Sequence, residues 1–181
     1  MRFFRKTSTE DQFSAWIKEH NAVLYKHAFW LCGNQALAAD MVQETYIQAW
    51  QSLKGLRDQD KVLPWLLTIL RRNIYKEQRE AYRNKEAINY LKTLEEEHSS
   101  GEISLVDLYS AFDSISDSQR ETLLLYVLHG LTYEEISDQL DIPVGTVMSR
   151  ISRARKAIKV FLGFDSDNIT RLNSFIRKES Q

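Results

Sequence analysis

Hydrophobic positions along most of this 181-residue chain recur at spacings of three and four, the period of a helix with one buried stripe. From Asp11 to Leu31 the stripe is Phe13, Trp16, Ile17, His20, Leu24, Ala28 and Leu31, and Gly33-Asn34 supplies a stop. A second helix is expected from Leu37 to Leu53, with Met41, Val42, Thr45, Tyr46, Ala49, Trp50 and Leu53 inward. After a polar loop from Gly55 to Val62, Pro64 opens a third, because a proline in the first turn gives up an amide that has no partner there. Trp65, Leu66, Ile69, Leu70 and Ile74 form its buried side.

The stripe weakens after Lys85, and the acidic run Glu95 to Glu102 reads as a linker. Helical spacing resumes from Ile103 to Phe112. Ser118 and Glu121 have capping-box spacing, so a helix is expected to start at Ser118 and to stop near His129, before Gly130. Thr132 and Glu135 repeat the spacing ahead of a helix of about eight residues with Ile136 and Leu140 buried. Asp141, Ile142 and Pro143 make a turn into a longer helix, Val144 to Phe161. Its inner positions are Val147, Ile151, Ala154, Ile158 and Leu162, and its outer ones Met148, Ser149, Ser152, Arg153, Lys156 and Lys159. The fold class expected is all-α: two helical domains joined by a flexible linker, the second a helix-turn-helix domain. The expected bounds are 10–90 for the first domain, 91–105 for the linker, 106–162 for the second domain and 163–181 for a tail.

Charge sharpens this picture. Val144 to Phe161 carries Arg150, Arg153, Arg155, Lys156 and Lys159 with no acid. The two helices before it carry Asp117, Glu121, Glu134, Glu135, Asp138 and Asp141 against Arg120 alone. Positive charge confined to the last helix of such a unit suits insertion into a major groove. The third helix is basic in its second half, with Arg71, Arg72, Lys76, Arg79, Arg83 and Lys85 against Glu77 and Glu80, and interleaves Tyr75 and Tyr82. That mixture suits a single strand, whose phosphates need charge and whose unstacked bases need an aromatic face. The outer stripe of the second helix, Asp40, Gln43, Glu44, Ile47, Gln48 and Gln51, is acid and amide with one isoleucine, a face suited to a basic partner surface.

With a net charge of −1, contacts with nucleic acid must come from such local patches. One cysteine, Cys32, excludes an internal disulfide and agrees with a reducing cytoplasm. No apolar run approaches the ~20 residues of a membrane span, so no membrane insertion is expected. His20, His27 and Cys32 lack the spacing of a metal site, and neither a phosphate loop nor a nucleophile-base pair is visible; no cofactor, metal or catalytic residue is expected.

Three blocks resemble the bacterial RNA polymerase sigma factors of the small, two-domain extracytoplasmic-function (ECF) class within the sigma-70 family. The segment Asp40-Met-Val-Gln-Glu-Thr-Tyr-Ile-Gln-Ala-Trp50 is similar to the helix by which that family grips the clamp helices of the largest polymerase subunit. The resemblance implies core-polymerase contacts at Asp40, Gln43, Glu44, Ile47 and Gln48. Pro64-Trp-Leu-Leu-Thr-Ile-Leu-Arg-Arg72 is similar to the helix that melts and reads the minus-ten element, which implies Trp65, Arg71, Arg72, Tyr75, Lys76 and Arg79 as contacts. Gln119-Arg-Glu121, Leu131-Thr-Tyr-Glu-Glu-Ile136 and Pro143-Val-Gly-Thr-Val-Met-Ser-Arg-Ile-Ser-Arg-Ala-Arg155 are similar to the minus-thirty-five reader. There the implied contacts are Thr146, Met148, Ser149, Arg150, Ser152, Arg153 and Lys156.

The resemblance thus implies core RNA polymerase, promoter DNA and an anti-sigma factor as partners, and a cytoplasmic protein that makes or breaks no bond. Many members carry asparagine where Arg72 stands, aspartate where Lys76 stands and a basic residue where Met148 stands, so the groove contact of Met148 would be apolar. The rival reading is a free-standing helix-turn-helix regulator with an amino-terminal sensor domain, which would need a ligand pocket in its first domain. A helical enzyme has no motif in its favour.

Overall fold

The structure is a computed structural model that describes residues 8–56, 58–84 and 105–163. The acidic run at Glu95, the linker, Lys85 and the tail after Gly163 lie outside the described residues. Every described element is helical: α1 (Thr9–Cys32), α2 (Gln35–Gln51), α3 (Val62–Asn84), α4 (Leu105–Asp113), α5 (Asp117–Val127), α6 (Tyr133–Leu140) and α7 (Val144–Phe161), with short 3₁₀ turns at Leu53–Gly55 and Gln59–Lys61. The backbone divides into two compact units, Met1–Arg79 and Glu80–Gln181.

In the first unit, α1 starts at a capping box that the hydrophobic pattern does not reveal. Ser8 Oγ accepts from the Asp11 amide at 3.0 Å, and the Asp11 carboxylate accepts from the Ser8 amide at 3.3 Å. Gly33 ends the helix in the left-handed conformation, φ 69°, which costs a glycine little. Asn34 then caps α2 through a 3.0 Å bond from the Leu37 amide, so α2 begins two residues before the expected Leu37. Ala28, Ala38 and Ala49 are wholly buried among Leu24, Leu31, Met41 and Val42, small side chains that let helix backbones approach closely. α3 closes the core with Leu66, Leu67, Leu70 and Ile74. A buried polar link ties it to α2: Asn73 Nδ2 donates to Thr45 Oγ1 at 3.3 Å, while Thr45 donates to the Met41 carbonyl at 2.7 Å. Pro64 is the third residue of α3 rather than its first, still within the turn whose amides have no helical acceptor.

In the second unit the expected cap at Ser118 is corrected. Ser116 is the N-cap of α5, and its reciprocal partner is Gln119, at 3.4 and 3.3 Å. The Ser118 carbonyl instead accepts from Thr122 Oγ1 at 2.6 Å, and Glu121 is buried. The physical reason is the preceding turn: Arg120 is buried there, its Nε donating to the Phe112 carbonyl at 2.9 Å and its Nη2 to Asp113 at 3.0 Å. That places residue 120 within the helix and leaves Ser116 at its mouth.

Gly130, at φ 66°, turns the chain after α5. Thr132 caps α6 as expected, its amide donating to the Glu135 carboxylate at 2.7 Å and its Oγ1 accepting from the Glu135 amide at 3.2 Å. Asp141 then takes a left-handed conformation, φ 53°, and Pro143 sets the entry to α7. Val147, Ile151, Ala154 and Ile158 are buried against the α4–α6 residues Leu108, Phe112, Leu124 and Ile136, whereas Leu162 is half-buried.

Candidate nucleic-acid interface

α7 presents a face cleared of acids. Met148, Ser152, Arg153 and Lys156 are exposed; Thr146, Ser149, Arg150 and Lys159 are half-buried. Arg155 is drawn the other way. Its guanidinium lies 4.9 Å from the ring centre of Tyr126 on α5, and Tyr126 packs against Tyr133 of α6 with ring centres 5.4 Å apart. This cation–π stack spends one of the five positive charges on orienting α7 against the two helices before it. Ser149 Oγ donates to the Thr146 carbonyl at 2.9 Å, so its proton is also committed within the helix. Gly145 lies in the exposed first turn, and a Cβ there would meet nothing within 4 Å. A neighbouring helix in the described structure therefore does not account for the glycine. Backbone approach to a phosphate from outside does fit.

Among the described residues of this unit, every acid precedes α7 in the chain. Glu135 has its carboxylate pKa lowered by the bonds from the Thr132 backbone and hydroxyl, so it is ionised at neutral pH and repels phosphate from the start of α6. Behind α5, burial lowers the His129 imidazole to about 4, leaving it neutral and adding no positive charge.

In the first unit, Arg72, Lys76 and Arg79 form one exposed line on α3 at helical spacing, while Trp65, Arg71 and Tyr75 beside it are half-buried. The line offers phosphate-binding charge, and the two half-buried aromatics lie on the same helix. Arg83 and Tyr82 fall on α3 where only the backbone is described.

The outer stripe of α2 is where the hydrophobic pattern placed it: Asp40, Gln43 and Gln51 are exposed, Glu44 and Gln48 half-buried and joined by a 2.7 Å bond from Gln48 Nε2 to Glu44 Oε1. Ile47 is 45% exposed.

Trp50 corrects the expected inner face, because it is 44% exposed. It stands edge-on to Phe13 of α1, ring centres 5.0 Å apart, and Phe13 covers only part of the indole. Together with Tyr46, these residues line a shallow hollow on the acid-and-amide stripe. The Tyr46 hydroxyl is buried there without a hydrogen-bond partner, and burial pushes its pKa up to about 12. Phe13 is buried, as the hydrophobic pattern of α1 predicts, whereas that of α2 does not reveal Trp50 as a surface residue. Among the described residues no cluster of three metal-ligating side chains occurs, and no helix is long and apolar enough to cross a membrane.

A helix-turn-helix unit with a basic last helix, carried with a three-helix unit that bears an acidic-amide face and a basic stripe, defines a transcription factor of the sigma type. Residues 12–84 match the family model for sigma-70 region 2, and residues 105–158 match that for sigma-70 region 4. The chain is 31% identical over 139 residues to the ECF RNA polymerase sigma factor EcfG of Rhodopseudomonas palustris, covering 75% of this chain and 76% of that one. It is 31% identical over 150 residues to the ECF RNA polymerase sigma factor SigL of Mycobacterium tuberculosis, covering 80% and 85%. Among solved structures, the sigma factor RpoE of Bartonella quintana, crystallised with the anti-sigma factor NepR, is similar with a TM-score of 0.74 and 26% identity over 86% of this chain and 99% of that one.

The chain belongs to the ECF RNA polymerase sigma factors of the sigma-70 family. It binds core RNA polymerase and directs promoter-specific initiation of transcription; the free-standing regulator is not favoured. The amino-terminal half that such a regulator would devote to sensing is sigma region 2.

Proposed function

We propose that the three surfaces divide the work of initiation. Asp40, Gln43, Glu44, Ile47 and Gln48 on α2 dock on the clamp helices of the largest polymerase subunit, and Trp50 adds an apolar anchor beside Ile47. Trp65, Arg71, Arg72, Tyr75, Lys76 and Arg79 on α3 engage the minus-ten element and its unpaired bases. Thr146, Met148, Ser149, Arg150, Ser152, Arg153 and Lys156 on or near the outer face of α7 engage the minus-thirty-five element. Residues 10–90 and 106–162 act as the two working domains, with 91–105 as linker and 163–181 as tail.

The observation that carries this reading is the segregation of charge by helix face: acids and amides around exposed Ile47 on α2, cations on α3 and α7. Opposite signs on separate faces suit a factor that must hold a protein with one and DNA with the others. The chain works in the cytoplasm, catalyses no reaction itself, and is held inactive by an anti-sigma protein, as the solved complex of RpoE with NepR suggests.

The test is copurification with core RNA polymerase. Asp40→Lys with Glu44→Lys should abolish capture of core enzyme while leaving the fold intact, because both lie outside the apolar stripe and the Gln48–Glu44 bond that is lost is worth only about 0.5–1.5 kcal/mol. Capture at the wild-type level by the folded double variant would reject the α2 assignment.

A further inference from the structure

α7 exposes a large apolar side chain in the middle of a polar, cationic surface. Met148 is 53% exposed, with Ser152 and Arg153 exposed in the next turn. Its surroundings leave it little to do within the protein. Gly145, one turn earlier, borders open space, since a Cβ there would meet no atom within 4 Å. Ser149, next to Met148, has spent its proton on the Thr146 carbonyl at 2.9 Å and can only accept from a partner. Over the first two turns of α7, then, Met148 is the exposed large side chain, a thioether without charge or strong donor beside half-buried Thr146, Ser149 and Arg150.

A major groove offers such a side chain one matching feature. Every base edge there carries donors or acceptors, and the C5-methyl of thymine is the apolar exception. Opposite a guanine or an adenine, Met148 would strip water from N7 and O6 or N6 without replacing their hydrogen bonds, which is unfavourable. Opposite thymine it buries a methyl against a flexible, polarizable chain. We propose that Met148 makes promoter selection by this sigma factor depend on the methyl group of one thymine in the upstream element. The inference rests on the reading of α7 as the helix that enters that element, and adds the chemical group read at its first exposed turn.

The experiment uses holoenzyme reconstituted from the full chain and core RNA polymerase. A promoter library with a randomised upstream element is selected by retention, and the preferred fragment is then synthesised with deoxyuridine in place of each thymidine in turn, which removes the methyl and nothing else. For the wild type, one position should weaken retention about fourfold, the equilibrium equivalent of leaving one methyl group unburied. In Met148→Ala and in the polar, similarly long Met148→Gln, that position should become indifferent to deoxyuridine. Met148 is exposed, so neither variant threatens the fold.

Arg153→Ala is selected on the same library to separate the two levels of the inference. If Arg153→Ala relaxes the selected sequence while no deoxyuridine position weakens the wild type, methyl reading is wrong and α7 remains the reader. A deoxyuridine penalty that persists unchanged in both Met148 variants assigns the methyl contact elsewhere and overturns the proposal. If the Arg153 and Met148 variants all select the wild-type sequence, the assignment of α7 falls and takes the proposal with it.

Discussion

Replacing Arg120 with methionine should unfold region 4 at far lower denaturant while leaving region 2 untouched. The guanidinium is buried, with its side chain 6% exposed. Its 2.9 Å bond to the Phe112 carbonyl is a charge-assisted bond of about 1.5–3 kcal/mol. Losing it leaves the Phe112 carbonyl with the long 3.4 Å bond from the Ile115 amide and weakens support for the Ile115 carbonyl, which Nη2 reaches at 3.5 Å, for about 1 kcal/mol more. The Asp113 partner is 48% exposed, so the ion pair itself adds only ~0–1 kcal/mol. Methionine recovers part of the loss by burying an apolar chain without a charge, leaving a net cost of about 3 kcal/mol. A unit of this size has roughly 3–9 kcal/mol of stability to lose.

The four tryptophans provide the assay, because Trp16, Trp30, Trp50 and Trp65 all lie in the first unit. Tryptophan fluorescence therefore follows region 2 and far-ultraviolet circular dichroism follows both. In urea, Arg120→Met should split the dichroism transition, moving one component down by ~2–3 M at a slope of about 1 kcal/mol/M while fluorescence stays in place. Asp113→Asn should shift it by less than a third as much. Equal shifts by both probes, or no shift, would refute the idea that Arg120 is a local staple of the turn between α4 and α5.

Three further outcomes follow from named groups. Arg153→Ala should cost ~1–3 kcal/mol at one base pair of the upstream element, whereas Lys156→Ala should weaken binding on every sequence and lower the salt slope by about one; transcription from a base-substituted promoter series across salt separates them. Gly145→Ala should raise the stability of α7 by up to ~1 kcal/mol, since its Cβ has open space, yet weaken promoter binding by holoenzyme; unchanged retention would show that the backbone there does not approach DNA closely. His129 has its pKa lowered to about 4 by burial, below an unfolded value of 6.5, so its contribution to stability is present above 6.5 and lost as pH falls toward 4. The slope should be at most about 1.4 kcal/mol per pH unit, and urea melts followed by dichroism at pH 7.5 and 5 should show a smaller loss for His129→Leu than for the wild type.

How much of this was legible along the chain depends on the range of the interaction involved. The inner stripe of α7, the Thr132–Glu135 capping box and the outer stripe of α2 were legible because each is set within a few residues, by helical period or by a side chain reaching its own backbone. The choice between Ser116 and Ser118 was not. Both have a glutamine or glutamate three residues on, and the frame is decided by Arg120 reaching back to carbonyls and a carboxylate of the turn before it. Trp50 lies on the period of the buried face, but Phe13, near the start of α1, meets it only edge-on, so the residue stays 44% exposed. Likewise Trp30, outside the expected stripe of α1, is buried, because a helix of 24 residues packed on its neighbours contacts them over more than one stripe. Arg155 counts as positive charge in the sequence, and only the placement of Tyr126 from another helix turns it from a DNA-facing cation into a packing group. Local periodicity therefore determined which helices form and which faces carry charge. The tertiary structure decided which members of those faces remain free to bind, because exposure depends on where the neighbouring helix stops.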